Sequence, residues 1–541
     1  HSGLEAFDGP LIVSNSMGGG DAPLRAGGWE NAVPDSWETL RAYSSAALVA
    51  RAASELKLTG RVEVIGNTCA AGNYAIGAAM DAILRGDADV VLAAGMEELS
   101  LLGFAAFSSL RAIGDPCRPF DTNRNGLLFG EGAACLVLES LDHARARGAA
   151  VLAEVVAVGY SNDAHHLLAP HPEGAGLELA LRRCMDEGEL ASVDYVNAHG
   201  TGTPANDAVE AETLARVLGP VPVSSTKGGV GHCMGGASAV EAVLTVESMR
   251  RGELLPNVGL AQVDPMVPLP VIESSRSAPV EVALSAGLGF GGNNAVLALR
   301  RSPSPRHRLS RRPVYLTPAA AVVGTAFGLR AVLDALRYGH PMAVDAEFDP
   351  KELLGRKGLR HADRGAVLFA AAMASTEIDG DLDRLGASVG GSLPAYAGVN
   401  ALLRAIQRGG VHAGPPTLVP FATVNCLSSW WLSRVGGRGF NGCTLSGDCA
   451  GLDAILLAAQ QIECGRVDRI VAGATEGRCE ESWRALAGRY RSPFVEGTAA
   501  VWVSSAPAGM RKVGHSRAFG ERATERVVDA LGSDTVLFAR G

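Results

Sequence analysis

In the first half of this 541-residue chain, a cysteine, two histidines and a lysine–glutamate pair stand at the ends of apolar runs. Cys69 lies in RVEVIGNTCAAGNYAIGAAMDAILRG, between a Val- and Ile-rich run of strand length and an Ala-rich stretch of helical spacing that Gly86 ends. A thiol on such a strand-to-helix turn sits at the positive end of a helix, which favours a nucleophilic thiolate. The competing reading is a small buried thiol, since free cysteines are among the most buried residues. His199 follows the strand-like YVNA in YVNAHGTGTPANDAVE. Lys227, His232 and Glu241 surround a second strand-to-helix transition in VPVSSTKGGVGHCMGGASAVEAVLTV, and GLGFGG (287–292) turns between two strand-like runs. In open α/β folds, functional groups gather at strand ends.

Other motif readings fail on context. GLGFGG matches G-x-G-x-x-G, but the following NNAVLALR has a strand pattern where a dinucleotide site needs a helix. Ser224-Ser225-Thr226-Lys227 matches S-x-x-K without the S-D-N and K-T-G motifs that accompany it in penicillin-binding enzymes. His165, His166, His171, His232 and Cys233 have spacings that match no zinc signature, so no metal is expected.

The elements that must position these residues follow from pattern. Strand-like runs (VEVIG, DVVLAAG, ACLVLES, YVNAHG, RIVAGA) alternate with Ala-rich helical stretches, which argues for α/β layers around a largely parallel sheet. RRSPSPRHRLSRRP (300–313) is rich in Pro, Ser and Arg and reads as a linker between residues 1–299 and 314–541. The two parts repeat each other at a shift of 379: GNYAIGAAMDAILRGDADVVLAAGME (72–97) overlies GLDAILLAAQQIECGRVDRIVAGATE (451–476). GEGAACLVLES (130–140) matches EGTAAVWVSSA (496–506) more loosely. The shift places Asp448 opposite Cys69 and Cys449 opposite Ala70, and a carboxylate is a poor acyl acceptor.

A net charge of -9 gives no basic footprint for nucleic acid. Ten cysteines without a C-x-x-C pair suggest reduced thiols in a cytosolic protein, and no apolar run is long enough to span a membrane. A cytoplasmic globular protein is expected.

Taken together, NTCAAG, NAHGTGTPAND, STKGGVGHCMGG and GFGGNN resemble the β-ketoacyl synthases of the thiolase superfamily, in the elongating, carrier-protein-dependent branch. The resemblance runs in the family's order from about Leu11 to Leu299 and takes in RPFDTNRNGLLFGEGAACLVLE and SNDAHH. It implies a thiolase-like layered α-β-α-β-α fold in two ketosynthase-like copies. It implies that Cys69 takes an acyl group from acyl carrier protein, and that His199 and His232 hydrogen-bond the enolate left when a malonyl thioester loses carbon dioxide. The backbone N–H groups of Cys69 and Phe290 form the oxyanion hole in this reading, and Lys227 and Glu241 order the histidines. Thr201 and Thr203 hold the pantetheine arm, Phe290 gates the site and Phe107 lines the acyl pocket. No cofactor is implied beyond the phosphopantetheine that carries the substrates. The implied partners are acyl carrier protein and a second ketosynthase-like domain, in a dimer or pseudo-dimer.

The chain also departs from the family. Family members carry a further segment ahead of the stretch resembling LIVSNSMGGG, and the expectation is a first half that lacks it. The second half opens more fully but stops at SDTVLFARG, with Arg540 near the position of His199 and no counterpart of the Lys227–His232 motif. It resembles a chain-length factor, the non-catalytic partner of polyketide ketosynthases, with Asp448 where that family usually has Gln. The leading expectation is decarboxylative condensation by the first half. The alternatives are a non-condensing scaffold that binds acyl carrier protein or another ketosynthase, and a thioesterase or acyltransferase using the same thiol.

Overall fold

A computed structural model describes residues 7–18, 44–304, 309–338, 345–374, 376–378, 380–392, 395–477, 497–505, 511–515 and 536–538. Arg540 and Cys479 lie outside these residues. In the first half the strands are β1 (Leu11–Ser14), β2 (Val62–Ile65), β3 (Val90–Glu97), β4 (Gly132–Glu139), β5 (Glu154–Asn162), β6 (Tyr195–Asn197), β7 (Val223–Ser224), a short β8/β9 pair (Glu253–Leu254, Arg276–Ser277), β10 (Val282–Gly289) and β11 (Asn293–Arg300). The second half has β12 (Tyr315–Val323), β13 (Ala326–Phe327), β14 (Gly386–Gly390), β15 (Asn441–Thr444), β16 (Arg469–Glu476), β17 (Gly497–Ser504), β18 (Arg511–His515) and β19 (Val536–Phe538). Arg300 thus closes β11, one residue inside the expected linker.

The first half builds two sheets. One runs β2-β1-β3-β4; the other runs β5-β11-β10-β6-β7. Helices Ala71–Leu84 and Ala237–Arg251 fill the space between them. Helix Ala71–Leu84 is buried from Ala71 to Ala82, so it shows little amphipathic character; a helix covered all round has no polar face. Small residues let the two central helices touch: a Cβ on Gly72 would lie 2.2 Å from the Ala239 nitrogen. Helices Ala175–Glu187 and Pro204–Leu218 cover the outer face of the second sheet, and Ser45–Glu55 packs on β2. These are the five layers that the resemblance implied.

The second half repeats the first layer. β14 is parallel to β15 and β16 as β1 is to β2 and β3, and β16 is antiparallel to β17 as β3 is to β4. Val90–Glu97 and Arg469–Glu476 lie 379 residues apart, as do helices Ala71–Leu84 and Ala450–Glu463. The looser match needs a correction of one residue. Strand pairing sets Gly132 and Gly497 in equivalent places, opposite Glu97 and Glu476, where the sequence comparison set Gly132 against Thr498. A one-residue slip along a strand exchanges its two faces, so the correction decides which side chains are buried. Among the described residues β4 ends its sheet, whereas β17 pairs on its far side with β12. The second half has no counterpart of the β5–β11 sheet among those residues.

The two halves share one sheet. β15 pairs antiparallel with β2 through Thr444 and Ile65, giving the order β12-β17-β16-β14-β15-β2-β1-β3-β4. Ion pairs reinforce the seam. Arg466 meets Asp81 at 2.6 Å and Glu187 at 2.8 Å, Arg85 meets Glu463 at 2.7 Å, and Arg61 meets Asp453 at 3.0 Å. The connecting segment is pinned to both sides, with Arg311 bound to Asp87 at 2.5 Å and Arg312 to Asp468 at 3.3 Å. All nine described cysteines are free thiols, and no helix among the described residues is long and apolar enough to cross a membrane.

Candidate active site

Cys69 sits on a single 3₁₀ turn, Thr68–Ala70, between β2 and helix Ala71–Leu84. The turn requires a left-handed residue just before the thiol, and Thr68 takes it at φ 49°. The repeat uses glycine there instead, Gly447 at φ 65°. A β-branched residue in that region is strained, and Thr68 compensates through its hydroxyl, which lies 2.8 Å from the Asn67 carbonyl and 3.1 Å from that of Phe290.

His199 follows β6, and His232 follows the short helix Lys227–Val230. One ligand-capable atom from each of Cys69, His199 and His232 lies within 4.8 Å of the others, and all three residues are buried. The imidazoles meet edge to face at 5.3 Å. Their hydrogen bonds fix their tautomers. Lys227 Nζ donates to His199 Nδ1 at 3.1 Å, and the Met234 N–H donates to His232 Nδ1 at 3.0 Å. Each neutral ring therefore carries its proton on Nε2 and is a donor there. That assignment opposes metal binding through Nε2, because a ligating nitrogen needs its lone pair free.

The charges agree. Burial, and then the Lys227 ammonium, hold His199 well below the usual imidazole range, with His232 adding to the effect. Burial and Lys227 do the same for His232. Lys227 is wholly buried; besides His199 Nδ1 it donates to the His199 carbonyl at 2.6 Å and to Glu241 Oε1. The lysine–glutamate pair thus orders His199 directly, while His232 is held by its own turn. Sequence reasoning had assigned the pair to both rings.

The thiol departs from expectation. Burial pushes Cys69 up to about 12, against a downward pull from Lys227, so burial opposes the thiolate that a helix terminus favours. Dehydrated surroundings penalise the charged form of a thiol.

A cavity of about 330 Å³ opens over these groups, lined by Cys69, His199, His232, Thr201, Thr203, Phe107 and Phe290 among others. Thr201 and Thr203 share a hydroxyl–hydroxyl bond of 2.8 Å, and Phe107 and Phe290 stack at 5.1 Å. Glu241 stands behind Lys227. His171 reaches the cavity wall, but His166 uses its Nδ1 to accept N–H bonds from Leu168 and Ala169. In the second half, Asp448 and Cys449 are exposed on a turn that no second sheet covers among the described residues.

Several buried residues were missed. Glu210 accepts the N–H groups of His199 and Gly200 at 2.7 and 2.8 Å, and Asp207 accepts those of Thr201 and Phe120 at 3.0 Å. Their i, i+3 spacing in PANDAVE puts both on one helix face, the only local signal they give. Glu97, pushed up to about 8 by burial, accepts N–H bonds from Ser16, Met17 and Gly235, tying the end of β1 to the His232 turn.

Comparison with known proteins places this geometry. The family models for the β-ketoacyl synthase N-terminal and C-terminal domains match residues 25–144 and 152–261. Nodulation protein E of Rhizobium meliloti strain 1021 is 39% identical over 321 residues, covering 56% of this chain and 78% of that protein. The 3-oxoacyl-[acyl-carrier-protein] synthase 2 of Staphylococcus aureus strain COL is 38% identical over 247 residues, covering 43% of this chain and 60% of that one. Against nodulation protein E of Rhizobium sp. strain N33 the chain spans 63% of the relative's length. Among solved structures, the ishigamide ketosynthase/chain length factor aligns with TM-score 0.51 at 33% identity, over 55% of this chain and 76% of that one. The PfaC ketosynthase–chain length factor aligns with TM-score 0.73 over 92% of this chain and 66% of that one; at 17% identity it bears on fold alone. The chain belongs to the β-ketoacyl synthase family.

Proposed function

We propose that the first half performs decarboxylative Claisen condensation, extending an acyl chain held on Cys69 by two carbons taken from malonyl-acyl carrier protein. One observation carries this reading: two imidazoles, both neutral and both donating from Nε2, converge with a thiol at the base of one cavity. Plain acyl transfer needs a nucleophile and one oxyanion site. A pair of neutral donors beside it suits a second oxyanion, the enolate.

Cys69 Sγ forms a bond to the acyl carbonyl carbon as the carrier's C–S bond breaks, and the thiol proton leaves with the carrier thiol. The malonyl group, delivered on a phosphopantetheine arm held by Thr201 and Thr203, loses carbon dioxide; the C–C electron pair becomes an enolate whose oxygen accepts from His199 and His232. The enolate carbon then bonds to the acyl carbon, the Cys69 C–S bond breaks, and the thiolate takes one proton from solvent. The N–H groups of Cys69 and Phe290 serve the tetrahedral oxyanion. The 3-oxoacyl-[acyl-carrier-protein] synthase 2 relative supports a condensing reaction of this kind.

The second half acts as the non-catalytic partner. Its helix Tyr396–Gly409 sets Val399, Leu402, Leu403 and Ile406 on one face, in a single apolar cluster with Cys69, Leu102, Ala106 and Phe107. An acyl chain growing past Phe107 meets that face, which limits its length. Intact mass spectrometry after incubation with acyl-acyl carrier protein tests the reading. The expected result is an acyl adduct that maps to Cys69 and is lost in Cys69→Ala, with carbon dioxide released when malonyl-acyl carrier protein is added. An adduct on another residue would refute it.

A further inference from the structure

The loop that carries Phe290 is held by the second half. The Phe290 carbonyl accepts from Asn425 Nδ2 at 2.7 Å, from Asn293 Nδ2 at 3.1 Å and from the Thr68 hydroxyl at 3.1 Å. Asn425 begins helix Cys426–Val435 as its N-cap, yet its side chain makes no capping bond. It is fully buried, and its Oδ1 has no hydrogen-bond partner among the described residues. The amide is therefore spent on one acceptor in the other half of the chain. Gly291, at φ 84°, makes the approach feasible: a Cβ there would lie 2.3 Å from Ser429 Oγ and 2.6 Å from Asn425 Nδ2.

The contact is part of a wider set. Asn441 donates to Asn293 Oδ1 at 2.7 Å and to Ser429 Oγ at 2.9 Å. Asn67, two residues before the thiol, donates to the Asn441 carbonyl at 2.6 Å and accepts from the Cys443 N–H at 3.0 Å. The chain is thus anchored across the seam beside both oxyanion donors, at Asn67 before Cys69 and at the Phe290 carbonyl just after the Phe290 N–H. Buried amide hydrogen bonds of this kind, made in a low-dielectric setting, restrain the segments they join.

We infer that Asn425, in the half without the nucleophile, is a positioning residue for the oxyanion hole: it fixes the Phe290–Gly291 peptide and so aims the Phe290 N–H at the acyl carbonyl on Cys69. This rests on the acylation proposed above. The second half then shapes the chemical step as well as the pocket. A displacement of about 1 Å in such a group costs on the order of 100-fold in rate.

The test compares two reactions of the same thiol in the whole chain. Transfer from octanoyl-acyl carrier protein passes through an oxyanion. Alkylation by iodoacetamide, in which Sγ displaces iodide and the thiol proton is lost, does not. Asn425→Ala should lower the saturating acylation rate by about 10- to 100-fold, leave the half-saturating carrier concentration within about threefold, and leave alkylation within about twofold. Unchanged acylation, or acylation and alkylation falling together, overturns the inference. If Asn425→Ala fails to fold, the isosteric Asn425→Asp decides. Its carboxylate cannot donate to Phe290 O, but its protonated form can. Acylation should therefore recover as pH falls, relative to wild type and to its own alkylation; a ratio flat in pH overturns the inference. A wild-type chain that is alkylated but never acylated removes the functional proposal as well, which separates the two failures.

Discussion

His199 and His232 owe their neutral state to burial and to a lysine that never touches the cavity, and that state has measurable consequences. Replacing either by alanine removes one Nε2 donor from the enolate site and should slow carbon dioxide release from malonyl-acyl carrier protein by about 10²–10³-fold, while Cys69 still acylates. Unchanged release in both variants would dissociate the pair from decarboxylation. The pH dependence has a definite sign. An ordinary histidine gains its proton as pH falls through 6.5, but these rings are held well below that value and stay neutral. Decarboxylation should therefore remain flat as pH drops through 6.5. Lys227→Met removes the second cause of the depression and should move the acid limb to higher pH, with burial keeping it short of the unperturbed position. A pH–rate profile of both proteins checks this.

At the scale of elements, the same strand–turn–helix unit occurs twice with different surroundings. In the first half the turn is covered by β10 and β11, which bury Cys69 and supply Phe290; in the second half the equivalent turn faces outward. Cys449 is therefore an exposed thiol with no histidine beside it among the described residues, and Asp448 is exposed too. Asp448→Ala and Cys449→Ala should each leave Cys69 acylation and condensation within about twofold of wild type. Loss of condensation in Cys449→Ala would refute the division of labour. Much of this was legible in the sequence, because helix Ala71–Leu84 and its repeat keep a constant spacing through two strands. The strand match of GEGAACLVLES slipped by one because only pairing to β3, not local composition, sets its register. Asn425 and Asn441 left no trace in periodicity; each acts on a residue more than a hundred positions away in the chain. Local pattern reports on local elements, and the amide set belongs to the seam between them.

Across the whole molecule, buried ion pairs join the two halves at that seam. Asp81 is fully buried and depends on Arg466, whose guanidinium also binds Glu187. Arg466→Ala would strand the Asp81 carboxylate away from water and should cost roughly 3–5 kcal/mol, read as a lower urea midpoint. The exposed Arg51–Glu55 pair, with side chains 82% and 67% accessible, provides the comparison: Arg51→Ala should hardly move that midpoint. Equal shifts would mean that the seam holds no special share of the stability.

The strap pinned by Arg311 and Arg312 has a consequence for stoichiometry. Two separate subunits that complete one reaction centre lose activity on dilution, once their concentration falls below the dissociation constant. Here each nucleophile has its partner on the same chain, at an effective concentration in the millimolar range for a short connection. Condensation per mole of chain should stay constant from about 10 µM to about 10 nM, provided the carrier is kept saturating. On the proposed division of labour, covalent connection fixes the ratio of working to silent copies at one, and a separate protein must compete with a tethered partner at that effective concentration.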